Sequence, residues 1–142
     1  MSKSDTFEND LLKLIFNGTA IANLADNAAS APNTSLYVSL HTADPGEAGN
    51  QTTNEISYTS YARVAVARTS GGFTVTASSV SPAANIDFPA ATGGTGTVTY
   101  FAIGTASSGT GKILYSGTVT PNITVSSGVT PRLTTSTAIT ED

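Results

Sequence analysis

The feature that most constrains this chain is a succession of short segments in which apolar residues alternate with polar ones. In LYVSLHT, residues 36–42, Leu36, Val38 and Leu40 occupy every second position. A period of two is typical of a half-buried strand. Comparable segments lie at 61–69, 73–77, 83–89, 97–104, 112–120, 123–127 and 131–140. About eight strands separated by turn residues predict a mainly β fold, a jelly-roll-like sandwich of antiparallel strands.

The segments between these strands carry turn residues. Gly71 and Gly72 predict a hairpin between residues 61–69 and 73–77. Residues 106–113, ASSGTGKI, resemble a phosphate loop, but a strand and not a helix follows, so a hairpin turn is favoured. Residues 43–57 contain proline, glycine and amide side chains, which predict a long exposed loop.

A single clear helix is predicted over residues 5–16, at the start of the chain. Asp5 and Glu8 have capping-box spacing, and Gly18 is a suitable stop. Four apolar residues recur at helical spacing and form one stripe: Phe7, Leu11, Leu14 and Ile15. A short helix or a turn is predicted over residues 20–29.

The length of 142 residues predicts one domain. We divide it into an N-terminal helix and arm (1–35), a sandwich core (36–120) and C-terminal strands or an arm (121–142). Terminal segments stay ordered mainly when something holds them. We therefore expect both ends to reach a neighbouring molecule, through the helical stripe and through a C-terminal patch formed by Pro131, Arg132 and Leu133.

Composition excludes several functional classes. The chain has no cysteine, which excludes disulfides, zinc–thiolate sites and thiol nucleophiles. Its six lysines and arginines are dispersed, so direct nucleic-acid binding is not expected. No apolar run approaches the length of a membrane span, and the acidic residues near the start do not fit a signal peptide. We therefore expect synthesis in a cytoplasm and no membrane partner.

The lone histidine, His41, precedes Asp44 and Glu47 at regular spacing. Zinc requires three or four good ligands, and a general base requires a second group to orient it. Asp44 before Pro45 and Gly46 is typical of a turn in which the carboxylate binds its own backbone. We interpret the segment as a strand that leads into a turn, and we expect no metal, no cofactor and no catalytic residue.

Two other functions require specific residue sets. A glycan hydrolase needs two carboxylates about 5–9 Å apart, and the pairs to test are Asp44 with Glu47 and Glu55 with Asp87. A sugar-binding platform would use exposed aromatic residues, although aromatics on strands more often pack in the core. The aromatic residues considered are Tyr37, Tyr58, Tyr61, Phe73, Phe88, Tyr100, Phe101 and Tyr115.

Several longer strings carry a family resemblance. These are FENDLLKLIFNGTAIANLAD, LYVSLHTADPGEAG, YARVAVAR, SPAANIDFPAATGGTGTVTYFAIGT and GKILYSG. Together they span most of residues 7–120, and they resemble small virion structural proteins of tailed bacteriophages, which are often labelled tail-fibre proteins. The chain is similar in particular to the jelly-roll cement proteins that decorate capsids with an HK97-like shell.

This resemblance implies a non-enzymatic protein on the capsid surface of the virion. Its partners would be the major capsid protein and other copies of itself, as a dimer or trimer. The family has no catalytic motif to transfer to this chain. The alternative implied by the tail-fibre label is a tail-associated component that takes part in host adsorption.

Overall fold

The computed structural model describes residues 4–21, 25 and 32–141. Within these residues the chain forms one helix and nine strands, and every strand pairing given by its register is antiparallel. The predicted mainly β fold with a short N-terminal helix is confirmed, and the antiparallel sheets are consistent with a jelly roll. The elements are α1 (Asp5–Asn17), β1 (Ser35–His41), β2 (Val64–Ala67), β3 (Phe73–Thr76), β4 (Ser79–Pro82), β5 (Ile86–Asp87), β6 (Gly96–Gly104), β7 (Ile113–Val125), β8 (Arg132–Leu133) and β9 (Ile139–Thr140).

The chain divides into two compact units. The helix unit comprises residues 1–35, 66–85 and 133–142, and it includes α1 and a sheet of order β3-β4-β9. The long-sheet unit comprises residues 36–65 and 86–132 and contains β1, β6 and β7, which are neighbours in a sheet of order β2-β1-β6-β7. β5 and β8 form a two-stranded sheet. Each unit therefore draws on stretches that are separated along the chain.

Helix α1 begins at Asp5, the first residue of the predicted helix, but its N-cap is the residue before it. Ser4 is the N-cap, and its hydroxyl accepts a hydrogen bond from Phe7 N at 3.4 Å. Asp5 is already helical, so its predicted role as the cap is wrong. The predicted stop is confirmed, because Gly18 adopts φ 65° and Thr19 N donates to Lys13 O at 3.1 Å.

The buried face of α1 also differs from the predicted stripe. Leu12 and Phe16 are fully buried, and Glu8 is nearly so. Phe16 packs edge-on against Phe73 of β3, with ring centroids 4.9 Å apart. Residues four positions apart lie on one side of a helix, so these three form the row that is enclosed within the helix unit.

The hairpin in the helix unit is not the predicted one. Gly72 N donates to Thr69 O, which confirms a turn, but β3 pairs with β4 and not with β2. Ala77, with φ 51°, lies in the β3–β4 connection. The prediction failed because SVSP, residues 79–82, contains proline and two serines and was not recognised as a strand. Pro82 is accommodated at the end of β4.

The centre of the long-sheet unit is β6, which lies between β1 and β7. In register, Leu40 pairs with Phe101, and Phe101 pairs with Gly117. The two predicted segments at 112–120 and 123–127 form the single strand β7, and the register shifts between Val98 and Tyr100. Such a shift marks a bulge, which lets one long strand continue across a bend.

Strand β1 is buried on both faces, which corrects the prediction of a half-buried strand. Val38 and Leu40 are 1% and 0% exposed, but Ser39 and His41 are also 0% exposed. The long segment after β1 covers the second face. Gln51 and Ile56 in that segment are buried, whereas Asp44 and Glu47 are exposed, so the prediction of an exposed loop over residues 43–57 is only partly correct.

The second apolar stretch, residues 20–29, lies mostly outside the described residues. Ile21 and Ala25 exchange two backbone hydrogen bonds of 2.8 Å.

Candidate functional site

The lone histidine is a buried structural residue. His41 Nδ1 lies 2.8 Å from Thr53 O, and Nε2 lies 2.9 Å from Ser39 Oγ. A carbonyl oxygen can only accept, so Nδ1 carries the proton and Ser39 donates to Nε2. Burial lowers the pKa of His41 from its ordinary value and so favours this neutral form.

Ser39 and His41 are hydrogen-bonded to each other as a nucleophile and its base would be, but a substrate cannot reach them. Both side chains are 0% exposed, so no substrate carbonyl can approach Ser39 Oγ in this structure. The group behind the ring is a backbone carbonyl and not a carboxylate. The pair therefore holds β1 against the segment that contains Thr53.

Gln51 is a second buried polar residue in the long-sheet unit. Its amide nitrogen donates to Tyr37 O at 3.1 Å, and its oxygen accepts from Ala106 N at 3.0 Å. Its backbone N–H donates to Gly111 O at 2.9 Å. The contacts tie the segment after β1 to the β6–β7 connection.

Three side chains of the long-sheet unit form a buried ionic network: Glu55, Tyr61 and Arg63. Arg63 donates to both carboxylate oxygens of Glu55, at 2.7 and 2.8 Å, and Tyr61 OH donates to Oε1 at 2.9 Å. The Arg63 side chain is 2% exposed and that of Glu55 is 15% exposed. The hydrogen bonds to Glu55 raise the pKa of Arg63, and burial raises the pKa of Tyr61, so both keep their protons.

The same arginine organises the connection between β6 and β7. Its remaining N–H groups donate to Ala106 O at 2.9 Å and to Gly109 O at 2.8 Å. Thr105 N donates to Lys112 O at the base of this connection, which confirms the predicted hairpin turn over residues 106–113. The backbone carbonyls here point to an arginine, whereas a phosphate site would present N–H groups.

Asp44 has the predicted structural role. Its Oδ1 accepts a hydrogen bond from Gly46 N at 2.8 Å, and Gly46 has φ 69°. The carboxylate thus closes a turn around Pro45, as expected for aspartate before proline. Within residues 4–21, 25 and 32–141, no three His, Cys, Asp or Glu side chains group closely enough to hold a metal ion.

In the second candidate carboxylate pair, Glu55 with Asp87, each carboxylate forms an ion pair with a different arginine. Glu55 is bound by Arg63, whereas Asp87 accepts from Arg132 Nε at 2.5 Å and from Nη2 at 3.0 Å. The hydrogen bond from Arg132 lowers the pKa of Asp87. Both carboxylates thus serve ion pairs, and the lowered pKa of Asp87 is the opposite of the raised pKa that a general acid needs.

Half of the eight aromatic residues considered for sugar binding belong to the core. Tyr58, Phe73, Phe88 and Phe101 are buried. Tyr61 stacks on Phe88 with centroids 6.4 Å apart, and Tyr58 OH donates to Pro89 O at 2.7 Å. These side chains present no open platform.

The predicted partner-binding stripe of α1 lies outside the buried row. Phe7 is the one large hydrophobic residue that is exposed among those the structure describes, at 38%. Leu11, Leu14 and Ile15 are half-buried. Successive helical residues are about 100° apart around the helix axis, so this stripe lies beside the buried row. The apolar surface of α1 is therefore wider than the face that is enclosed.

Helix α1 is held at its C-terminal end. Arg68 Nε donates to Ile15 O at 2.6 Å, and Nη2 donates to Leu14 O. A cation at the last carbonyls of a helix also interacts favourably with the helix dipole. The orientation of the stripe is therefore fixed within the helix unit.

The predicted C-terminal patch is only partly accessible. Pro131 is fully buried and Leu133 is 3% exposed, so their side chains pack within the protein. Arg132 is exposed and bound to Asp87. Of these three residues, only Arg132 presents its side chain at the surface.

Sequence reasoning missed the buried network, although one signal was available. Only 11% of the residues are charged, so each charge inside a strand-forming region is a candidate for pairing. Glu55 and Arg63 have opposite charges and lie eight residues apart. The carbonyl groups that accept from Arg63, those of Ala106 and Gly109, have no side-chain signal.

The polar clusters described above hydrogen-bond one part of the chain to another and so stabilise the fold. The protein is therefore a β protein whose buried polar residues have structural roles. The family model described as "Podophage GP4 fiber I protein gp80" matches residues 2–140 of the chain. The chain therefore belongs to this family of phage virion structural proteins. No curated protein matches it. Among the described residues, no helix has the length and hydrophobicity needed to cross a membrane.

Proposed function

We propose that this protein binds the capsid shell of the virion as a cement or decoration protein and catalyses no reaction. The observation that carries the proposal is the distribution of its side chains. The polar groups best suited to chemistry, His41, Ser39 and Glu55, are engaged in internal hydrogen bonds. The apolar stripe on α1, with Phe7 at the surface, remains available for binding.

Adhesion to a shell suits this kind of surface. The chain is rich in threonine and serine and poor in charge, so a contact removes few charges from water. A lattice presents many identical positions, and modest contacts of many copies sum across it. A binder present at each position would strengthen a shell against the pressure of packaged DNA.

The proposed contacts are the α1 stripe (Phe7, Leu11, Leu14 and Ile15) and Arg132. The stripe supplies apolar area for the major capsid protein, whereas Arg132 is an exposed group at the rim. Self-association as a dimer or trimer is part of the proposal, because symmetric closure is common among homo-oligomers. Pro131 and Leu133 are buried, so Arg132 is the residue of the predicted C-terminal patch that we propose as a contact.

A second function is a tail-fibre component that takes part in host adsorption. The observation that favours it is the name of the matching family, which describes a fiber protein. In that case the same stripe would contact tail proteins. Loss of the protein would then impair attachment to cells and leave the shell unchanged.

Virions without the protein separate these two functions. The cement proposal predicts faster loss of infectivity on heating or osmotic shock, with normal adsorption of the surviving particles. Adding back the protein should restore resistance, and Phe7→Ser should restore less than Ser127→Ala, a matched change at another exposed position. Equal robustness with lost adsorption would establish the tail function and contradict the cement proposal.

A further inference from the structure

A groove of about 440 Å³ lies in the long-sheet unit, beside the first residues of β7. One wall is the turn after β1, with Asp44, Gly46, Glu47 and Gly49, and the other wall is formed by residues 113–116. Both walls belong to the same compact unit. The groove therefore places a turn with two carboxylate side chains next to a strand.

That strand is the edge of its sheet. In the order β2-β1-β6-β7, β7 pairs with β6 on one side, and no strand of the described chain pairs with its other side. In an antiparallel ladder, alternate residues direct their N–H and C=O groups away from the partner strand. An edge of this kind is a template for an added strand.

Further along β7 the edge is less suitable for pairing. Pro121 is exposed and has no N–H to donate, which interrupts any added ladder at that point. The usable edge is therefore the part of β7 before Pro121, and its first residues line the groove. This gives an incoming segment a defined position along the strand.

The groove also has a defined charge. Asp44 and Glu47 are exposed, and no salt bridge found in the described parts of the chain involves either of them. Lys112 directly precedes the strand wall but does not line the groove. The wall opposite β7 is thus negative, and it complements a lysine or arginine side chain.

We propose that this groove binds an extended basic segment of a neighbouring virion protein. The segment adds to the outer edge of β7 as a further strand, and its basic side chains face Asp44 and Glu47. Backbone pairing supplies affinity, whereas the carboxylates select charge. This inference rests on the proposed assembly role, and it names the chemistry of one partner segment.

The test uses the isolated full-length protein and a short synthetic peptide that alternates valine and threonine, with lysine near each end. Amide hydrogen exchange measured by NMR should show protection at every second residue of β7 between Ile113 and Thr118 when the peptide binds. Protection elsewhere, or protection without this alternation, would overturn the proposal. Equal binding of a peptide with glutamate in place of lysine would also overturn it.

Two charge variants test the role of the acidic wall. Glu47→Gln should weaken binding of the lysine peptide about two- to fivefold, the range for an exposed ion pair. Asp10→Asn removes one charge from α1, outside the long-sheet unit, and should leave the affinity unchanged. Equal effects of the two variants would mean that the groove does not select charge.

The peptide test and the virion test fail separately. If the peptide does not bind but virions without the protein are fragile, then the strand-addition site is wrong and the cement role stands. If the peptide binds as expected but the virions remain robust, then the site exists and the cement role is wrong.

Discussion

Replacing Arg63 with methionine would leave a buried carboxylate without its cation. Arg63 makes two hydrogen bonds to Glu55 and two to the carbonyls of Ala106 and Gly109. Methionine retains much of the aliphatic volume but none of the donors. Removing one partner of a buried ion pair costs about 3–5 kcal/mol, because the remaining charge is uncompensated.

This loss is a large fraction of the total stability, since the free energy of unfolding of a natural domain is roughly 5–15 kcal/mol. A urea titration monitored by circular dichroism measures the loss of stability, because the midpoint and slope of the unfolding curve give the free energy of unfolding. The matched control is Arg132→Met, which removes an exposed partner of Asp87 and should change the free energy of unfolding little.

A double-mutant cycle with Glu55→Gln isolates the interaction. We expect the double variant to be less destabilised than the sum of the single variants, by about 1–3 kcal/mol, because each single change already breaks the pair. If Arg63→Met is no more destabilising than Arg132→Met, or if the two effects add, the buried network does not stabilise the fold as we argue.

Three further predictions concern the fold and the surface of α1. Burial holds the pKa of His41 below its ordinary value of 6.5, so the unfolded state takes up a proton first as the pH falls. The free energy of unfolding should therefore decrease below about pH 6.5, by up to about 1.4 kcal/mol per pH unit, and His41→Asn should show a shallower decrease in the same titration. Phe16→Ala should cost about 3–5 kcal/mol in denaturant unfolding, whereas Phe7→Ala should change stability by no more than about 0.5 kcal/mol and weaken binding to the particle. Gly104→Ala should destabilise by about 1–3 kcal/mol in thermal unfolding, because a Cβ there would overlap the Gln51 side chain and lie 2.6 Å from Lys112 O; an unchanged melting temperature would contradict that packing.

The strands with regular alternation could be predicted from sequence. Both β1 and β6 occupy almost the predicted residues, because their apolar positions pack into a core and fix the register. The helix boundaries were also accessible, since Gly18 ends α1 through a conformation that glycine adopts easily.

Strand partners could not be predicted in the same way. The segment at β4 has weak strand propensity, and it forms because β3 and β9 lie on either side of it. Propensity for a strand depends strongly on such tertiary neighbours. The expected hairpin with residues 61–69 failed for this reason.

The polar interior was the least predictable part. Ser39 and His41 occupy alternate positions that normally face solvent, and only the fold of the following segment encloses them. The His41 ring donates to the backbone carbonyl of Thr53, and such carbonyls are chemically identical at every residue. A sequence pattern cannot identify which carbonyl will be the acceptor.

The central claim is that this family member coats the capsid shell. Quantitative mass spectrometry of purified virions, with the major capsid protein as the internal reference, measures its stoichiometry directly. The cement role predicts a number of copies comparable to that of the major capsid protein. A copy number that instead matches the tail proteins would contradict it.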